Sequence, residues 1–394
     1  MKASLATLMT YGFRPFFLLA ALHAVGTTLA WALMLAGYLP TAAGNAVGWH
    51  AFEMIFGFVG AGLAGFLLTA VPSFTGSQPI TGRLLMAMVL LWLGARGAAW
   101  LIGVFGLLPT VVLNLAFLIA LIGLVAGPLL SDRHGRHQIF FYLLLALLGC
   151  QSLALSAWVG WLDMAPMRAL NLSVAVLMLL IIAAASRVSM QIVNDALAAR
   201  NEERRYLARP PRRNLAMSLI AAFALVEFAA GPDSITGWLA LAAAAAVLNL
   251  LNDWHLGRVL TDTYVAVLYG AYWLMALGLA LIGIDYLFGG IGAANARHLI
   301  TAGTVGLAMA AVLTIAGQRH TGRFDLNCRW PIRLLFACIA AGAVLRAFVP
   351  VVWPAGLMAF GYSASSLLWA AGFGLYLVLF WPLLTRPRVD GLPG

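Results

Sequence analysis

Apolar residues run almost uninterrupted for about twenty positions at a time, then give way to short polar segments carrying Gly, Pro or Arg, and this alternation recurs along the whole chain. A stretch of about 17–25 apolar residues is long enough to cross the hydrocarbon core of a bilayer as a helix. Such stretches lie near 15–38, 47–71, 83–104, 108–130, 138–161 and 169–191. Six more lie near 214–230, 234–252, 264–284, 296–316, 331–352 and 357–384. The seventh and eighth are short and separated only by Gly231, Pro232 and Asp233. The first stretch follows a short basic segment but ends in no small-residue cleavage site, so it reads as a retained span and not a signal peptide. A longer polar interval, 194–213, would divide the chain into two sets of six spans, although the halves do not match in sequence. The expected architecture is an all-α polytopic membrane protein, a bundle of about 12 transmembrane helices forming a single integral membrane domain over residues 1–394.

Composition agrees and removes other classes. Hydrophobic residues make up 63% of the chain and charged residues 9%, with a mean hydropathy of +0.96, against roughly 45–50% and about 25% in soluble domains. Soluble enzyme folds are therefore excluded. The formal net charge of +10 would suit nucleic acid if it formed a binding surface, but the basic residues sit between the spans. With the N-terminus inside, eighteen Lys and Arg fall in inner loops and tails and two, Arg168 and Arg297, in outer loops. That asymmetry places both termini in the cytoplasm. It also accounts for the basic excess without nucleic acid, leaving the lipid bilayer as the expected environment. Cys150, Cys328 and Cys338 have no pairing or metal-binding spacing and read as packing residues.

Three arginines fall inside spans: Arg96, Arg187 and Arg346. A guanidinium at mid-helix costs about 2.5–3.5 kcal/mol on insertion scales, so each needs an anionic partner, a wet cavity or a route to the interface. In this topology His50 and Glu53 open span two near the outer face, His298 opens span ten at the same depth, and Glu227 ends span seven on that side. Arg96 and Arg346 lie past the midpoint of outward-running spans. These six are expected to converge in the outer half. A looser inner set comprises His23, at mid-depth, with His255 and His320. His50, Glu53, Met54 and Gly57 fall at i, i+3, i+4 and i+7, one face of an α-helix. Imidazole with thioether suits Cu(I), and imidazole alone suits haem iron; the alternative is that Met54 fills the core and His50 sits at the interface beside Trp49.

Six pieces of the chain resemble the NnrS family in the same order: Y-G-F-R-P-F-F-L-L-A (11–20), W-H-A-F-E-M-I-F-G-F (49–58) with G-F-L-L-T-A-V-P (65–72), H-T-G-R (320–323), L-R-A-F-V-P (345–350) and P-R-V-D-G-L-P-G (387–394). The resemblance implies a twelve-span bacterial inner-membrane protein that carries haem and copper and helps withstand nitric oxide and nitrosative stress. Carried over, His50 matches the first histidine of a W-H-x-H-E-M motif and Glu53 its glutamate. Arg96 and Arg346 match arginines of spans three and eleven, and His298 the histidine opening span ten. The chain departs from the pattern at Phe52, where a second histidine is expected, at Tyr269 in place of a histidine and at Ile315 in place of an arginine. Ser186 to Met190 stand where the family has G-R-V-I-P. One metal site is thus expected to be altered or absent.

The first functional reading is a haem-bearing protein that binds or reduces nitric oxide. His50 and His298 would be metal ligands, Tyr269 a further axial ligand and Arg96 and Arg346 the partners of haem propionates. Glu53 and Glu227 would relay protons as catalytic groups, and an electron donor would supply reducing equivalents. The expected cofactor is haem b, with copper implied by the family and placed in question by Phe52. The other readings are a proton-coupled transporter, or a non-catalytic sensor or accessory subunit of a respiratory complex.

Overall fold

The computed structural model describes every residue except Met1, 41–45, Arg133, His134, Arg136, His255, Asn327, Pro393 and Gly394. His255 of the inner set therefore lies outside the described residues. Helices, turns and coil make up the described chain, with no strand among those residues. Twelve helices are long and apolar enough to cross a membrane: α1 (Phe13–Leu35), α2 (Ala46–Thr75), α3 (Gly82–Trp100), α4 (Leu108–Leu130), α5 (Gln138–Val159) and α6 (Pro166–Ala199), then α7 (Pro210–Ala230), α8 (Ser234–Trp254), α9 (Thr263–Phe288), α10 (Ala293–Arg319), α11 (Trp330–Val352) and α12 (Pro354–Leu384). The protein is a multi-pass helical membrane protein.

The closely spaced seventh and eighth spans are separate helices for a local reason. Gly231, at φ +84°, takes a left-handed conformation that ends α7, and the Asp233 carboxylate caps α8 by accepting from Thr236 N at 2.7 Å. The central interval is shorter than the charge pattern suggests, because α6 continues to Ala199. Ile192, Val193 and Leu197 recur at helical spacing and are all buried, so an amphipathic extension replaces the first part of the expected loop.

Two compact units emerge, and neither is a contiguous half. The first comprises Met1–Ser173, Val312–Asn327 and Phe373–Gly394; the second comprises Val174–Ala311 and Cys328–Gly372. In the first, α1 packs on α2, α2 on α4, and α4 on both α3 and α5. In the second, α8 packs between α7 and α9, and the N-terminal part of α10 lies against α9 and α11. The α8–α9 contact rests on small residues, since a Cβ on Gly283 would stand 2.8 Å from the Gly237 carbonyl.

Three spans carry a π-helical segment. Glu53–Val59 in α2, Leu299–Val305 in α10 and Leu357–Ala364 in α12 are π-helical. The i→i+5 bonding of a π turn accommodates an extra residue and alters the rotation of everything beyond it. In α2 and α10 an indole serves a carbonyl of this wider turn: Trp92 Nε1 donates to Gly57 O at 3.3 Å and Trp369 Nε1 to Ala302 O at 3.0 Å.

Arg14 belongs to no loop. It lies fully buried in the first turn of α1, where Nη1 donates to the carbonyls of Leu384 at 2.7 Å and Arg386 at 2.8 Å. Beside it the Phe13 and His320 rings stand 5.4 Å apart. The chain after α12 returns to the same corner, with Val389 N donating to Thr321 O at 3.3 Å and Arg388 Nη2 donating to Asp390 at 2.6 Å. Burial, reinforced by the positive charges of Arg388 and Arg319, pushes the His320 imidazole down to about 4. Y-G-F-R-P, H-T-G-R and P-R-V-D-G are thus parts of one structural latch.

Candidate functional site

In the first unit four helices bring polar groups to one buried point. Glu53 opens the π segment of α2 and is completely buried. Its Oε1 accepts from Arg96 Nη1 of α3 at 2.5 Å, and its Oε2 lies 3.1 Å from His23 Nε2 of α1. The other arm of Arg96, Nη2, donates to Asn114 Oδ1 of α4, whose own Nδ2 donates to the Thr110 carbonyl at 2.8 Å. Aromatic rings surround the charges: the guanidinium carbon lies 5.8 Å from the Trp92 ring and 6.0 Å from the Phe52 ring. Trp92 also meets His23 edge-on at 5.4 Å.

Gly57 makes this approach sterically feasible. A Cβ there would fall 2.3 Å from His23 Nε2 and 3.0 Å from Arg96 Nη1, so any side chain would displace the imidazole. The π turn contributes as well. His50 lies in the α-helical part of the span and Glu53 starts the wider turn, so the single face expected from α spacing does not continue through Gly57. His50 instead stacks on Trp31 with ring centroids 4.4 Å apart, while Glu53 joins His23 and Arg96. Phe52, fully buried, packs against Phe56 and Trp158. His23 had been grouped with the inner histidines, and its position at mid-span beside Thr27 on the next turn was the signal that it had a buried partner. Asn114 was not singled out; a lone amide in the apolar run of span four was its signal.

The remaining candidates lie in the second unit. Glu227, at the end of α7, accepts from Arg297 Nη2 at 2.7 Å and from Tyr286 OH at 2.5 Å. Arg297 was expected in an outer loop; it lies in the first turns of α10, because the helix begins at Ala293. Arg346 of α11 donates to Asn295 Oδ1 at 2.9 Å and lies 4.7 Å over the Tyr362 ring. Asn295 and His298 are one turn apart on α10, so Asn295 links Arg346 to the turn carrying His298. His298 Nδ1 lies 2.6 Å from the Ala294 carbonyl. Tyr269 is placed differently. Its ring neighbours are Trp254 and Trp273, in an aromatic group that includes Tyr206 and Tyr272. The register of α9 against α10, with Thr304 donating to Ala271 O and Gly278 facing the Ala296 carbonyl, sets Tyr269 well along the span from His298.

The predicted residues thus form separate groups: Glu53 with Arg96, Glu227 with Arg297, Arg346 beside the His298 turn, and His50 and Tyr269 each against tryptophan. The fold and these buried ion pairs define a polytopic helical membrane protein with ionisable groups inside its spans. Residues 7–388 match the NnrS family, described as NnrS protein, and the chain belongs to that family. No curated protein shows a match to it.

The donor chemistry decides which family-implied groups fit. Haem iron needs one or two axial ligands and cations for its propionates, and His298 with Arg346 has this composition. Copper fares worse: among the described residues no three His, Cys, Asp or Glu side chains converge as a metal site.

Proposed function

We propose that the protein is a haem-bearing inner-membrane protein that contributes to resistance against nitric oxide and nitrosative stress by binding or reducing nitric oxide, with both termini in the cytoplasm. The observation carrying this reading is the short contact between His298 Nδ1 and the Ala294 carbonyl. A carbonyl oxygen only accepts, so the 2.6 Å contact with Ala294 O sets Nδ1 as the donor, and in the neutral ring Nε2 is then the nitrogen of ligating type. This is the form in which an imidazole binds iron.

Membership of the NnrS family supports the same conclusion. Haem b, when bound, supplies one-electron chemistry and a coordination position for nitric oxide. Arg346, held through Asn295, gives the fixed cation that a propionate requires. Leu299 and Ile300 follow His298 directly, are fully buried and exclude water from that side. His50, oriented by Trp31, is an alternative ligand candidate, and Tyr269 is a less well-placed one. Glu53 and Glu227 hold or pass protons, and the electrons come from a separate donor.

Visible absorption of the purified full chain tests the proposal. A Soret band is expected, lost or shifted by His298→Ala. If His298→Ala and His50→Ala both leave the spectrum and haem content unchanged, the ligand assignment fails. A colourless, metal-free preparation overturns the haem reading and favours a transporter or an accessory subunit.

A further inference from the structure

We propose that His23 and Glu53 form a proton-binding site inside the span region of the first unit, in which His23 takes up a proton and Glu53 receives one. This deepens the proton role given to Glu53 above, although the site itself requires neither haem nor nitric oxide.

The argument starts from hydrogen-bond inventory. An ionised carboxylate oxygen can only accept, and an imidazole nitrogen either carries a proton or presents a lone pair. Glu53 Oε2 and His23 Nε2 are 3.1 Å apart and buried. That contact is close without being aligned as a hydrogen bond, so Oε2 is a buried carboxylate oxygen with no donor and is open to a proton. Thr27 Oγ1, on the next turn of the same helix, makes the hydrogen bond to Nε2 at 3.1 Å and fixes the ring without supplying charge. The second ring nitrogen, Nδ1, has no hydrogen-bond partner among the described residues. It is the position at which a further proton can bind.

Charge balance makes that binding feasible. The ionisable groups facing the imidazole are Glu53 from α2 and Arg96 from α3; α4 contributes only the neutral Asn114. Carboxylate and guanidinium cancel, so the cluster with a neutral imidazole carries no net charge, and one added proton brings it to +1. A proton arriving at Nδ1 makes the imidazolium. A rotation of the ring that aligns Nε2–H with the open Oε2 passes that proton across, giving a neutral ring protonated on Nδ1 and a neutral carboxylic acid, with Arg96 holding Oε1 throughout. No redox partner is needed. The position is mid-span, His23 being the eleventh residue of the 23-residue α1, and buried carboxylate–histidine pairs at such depth are the material of proton relays.

Infrared spectroscopy of the purified full chain, with isotope-labelled histidine and measured against pH, reads this site directly. Wild type should show one imidazole signal coupled to a carboxyl signal, and His23→Gln should remove both changes. In Glu53→Gln the imidazole keeps the cation and loses the anion, so its midpoint should move to lower pH; in Arg96→Gln it should move to higher pH. Removing a charge at such distances shifts a midpoint by about 1–3 pH units. Gly57→Ala, which drives the ring away from Oε2, should uncouple the two signals, and a folded sample is verified by its melting transition. The proposal is overturned if the imidazole midpoint is the same in wild type, Glu53→Gln and Arg96→Gln, or if His23→Gln retains the coupled signals. Haem content measured on the same samples separates failure here from failure of the haem assignment.

Discussion

Glu53 and Arg96 meet in the middle of the helical bundle of one unit, with the carboxylate side chain completely buried and the guanidinium 6% exposed; Glu227 and Arg297 meet near helix ends in the other, each about a tenth exposed (10% and 11%). The first pair sits in a cluster assembled from four helices and shares its carboxylate with a histidine. The second is bracketed by a tyrosine hydroxyl that both donates to the carboxylate and lies 3.2 Å from Arg297 Nη2. A carboxylate–guanidinium pair is therefore not one kind of object. At a helix end it closes a contact that water can partly replace, whereas in mid-bundle each partner depends entirely on the others.

Substitutions can break this contrast. Arg96→Ala should have the largest effect, since it leaves Glu53 buried without its cation; removing one partner of such a pair costs about 3–5 kcal/mol. Thermal unfolding in detergent should show a steep loss, and a melting temperature within a few degrees of wild type would refute the structural weight given to this cluster. Glu227→Gln should cost less, about 1.5–3 kcal/mol for hydrogen bonds to a charged group, and a larger loss than that of Arg96→Ala would reverse the comparison. Tyr286→Phe removes only one hydroxyl donor and should cost about 0.5–1.5 kcal/mol. A null result there would assign the whole contact to Arg297.

The smallest effect at neutral pH is expected for His320→Phe, which keeps an aromatic ring against Phe13. Its signature lies in acid. The unfolded chain binds a proton at His320 below its ordinary value of 6.5, whereas the folded chain does so only below about 4. Stability should therefore fall as pH drops between those values and level off below them. The variant should lack that component, and equal acid sensitivity of wild type and variant would show that the titrating group lies elsewhere. This control also separates the acid response of the latch from that of the two ion pairs.

The spans were legible because an apolar run long enough to cross a bilayer has few alternatives. Their ends moved where helical propensity continued past the apolar stretch, as in α6 to Ala199, or where a basic residue entered the first turn, as with Arg14 and Arg297. Arg96 and Glu53 were legible as charges that needed partners. Their pairing with His23 and Asn114 was not, because it depends on the π turn at Glu53–Val59, which changes the helical rotation without leaving a composition signal. The expected meeting of His50 with Glu53 assumed unbroken α spacing. Tyr269 was selected through the resemblance, and its tryptophan neighbours could not be read from its position alone.

The discontinuity of the first unit bears on how the protein is made. Its first piece ends at Ser173, but the unit also needs residues 312–327 and 373–394, and Arg14 holds the carbonyls of Leu384 and Arg386. At about 5–20 residues per second, translation from residue 173 to residue 394 takes roughly 10–45 s. Throughout that interval the buried arginine of the first span lacks its final acceptors. The early spans must therefore wait in the insertion machinery or the lipid without their closing latch, which forms only once the last span has been made.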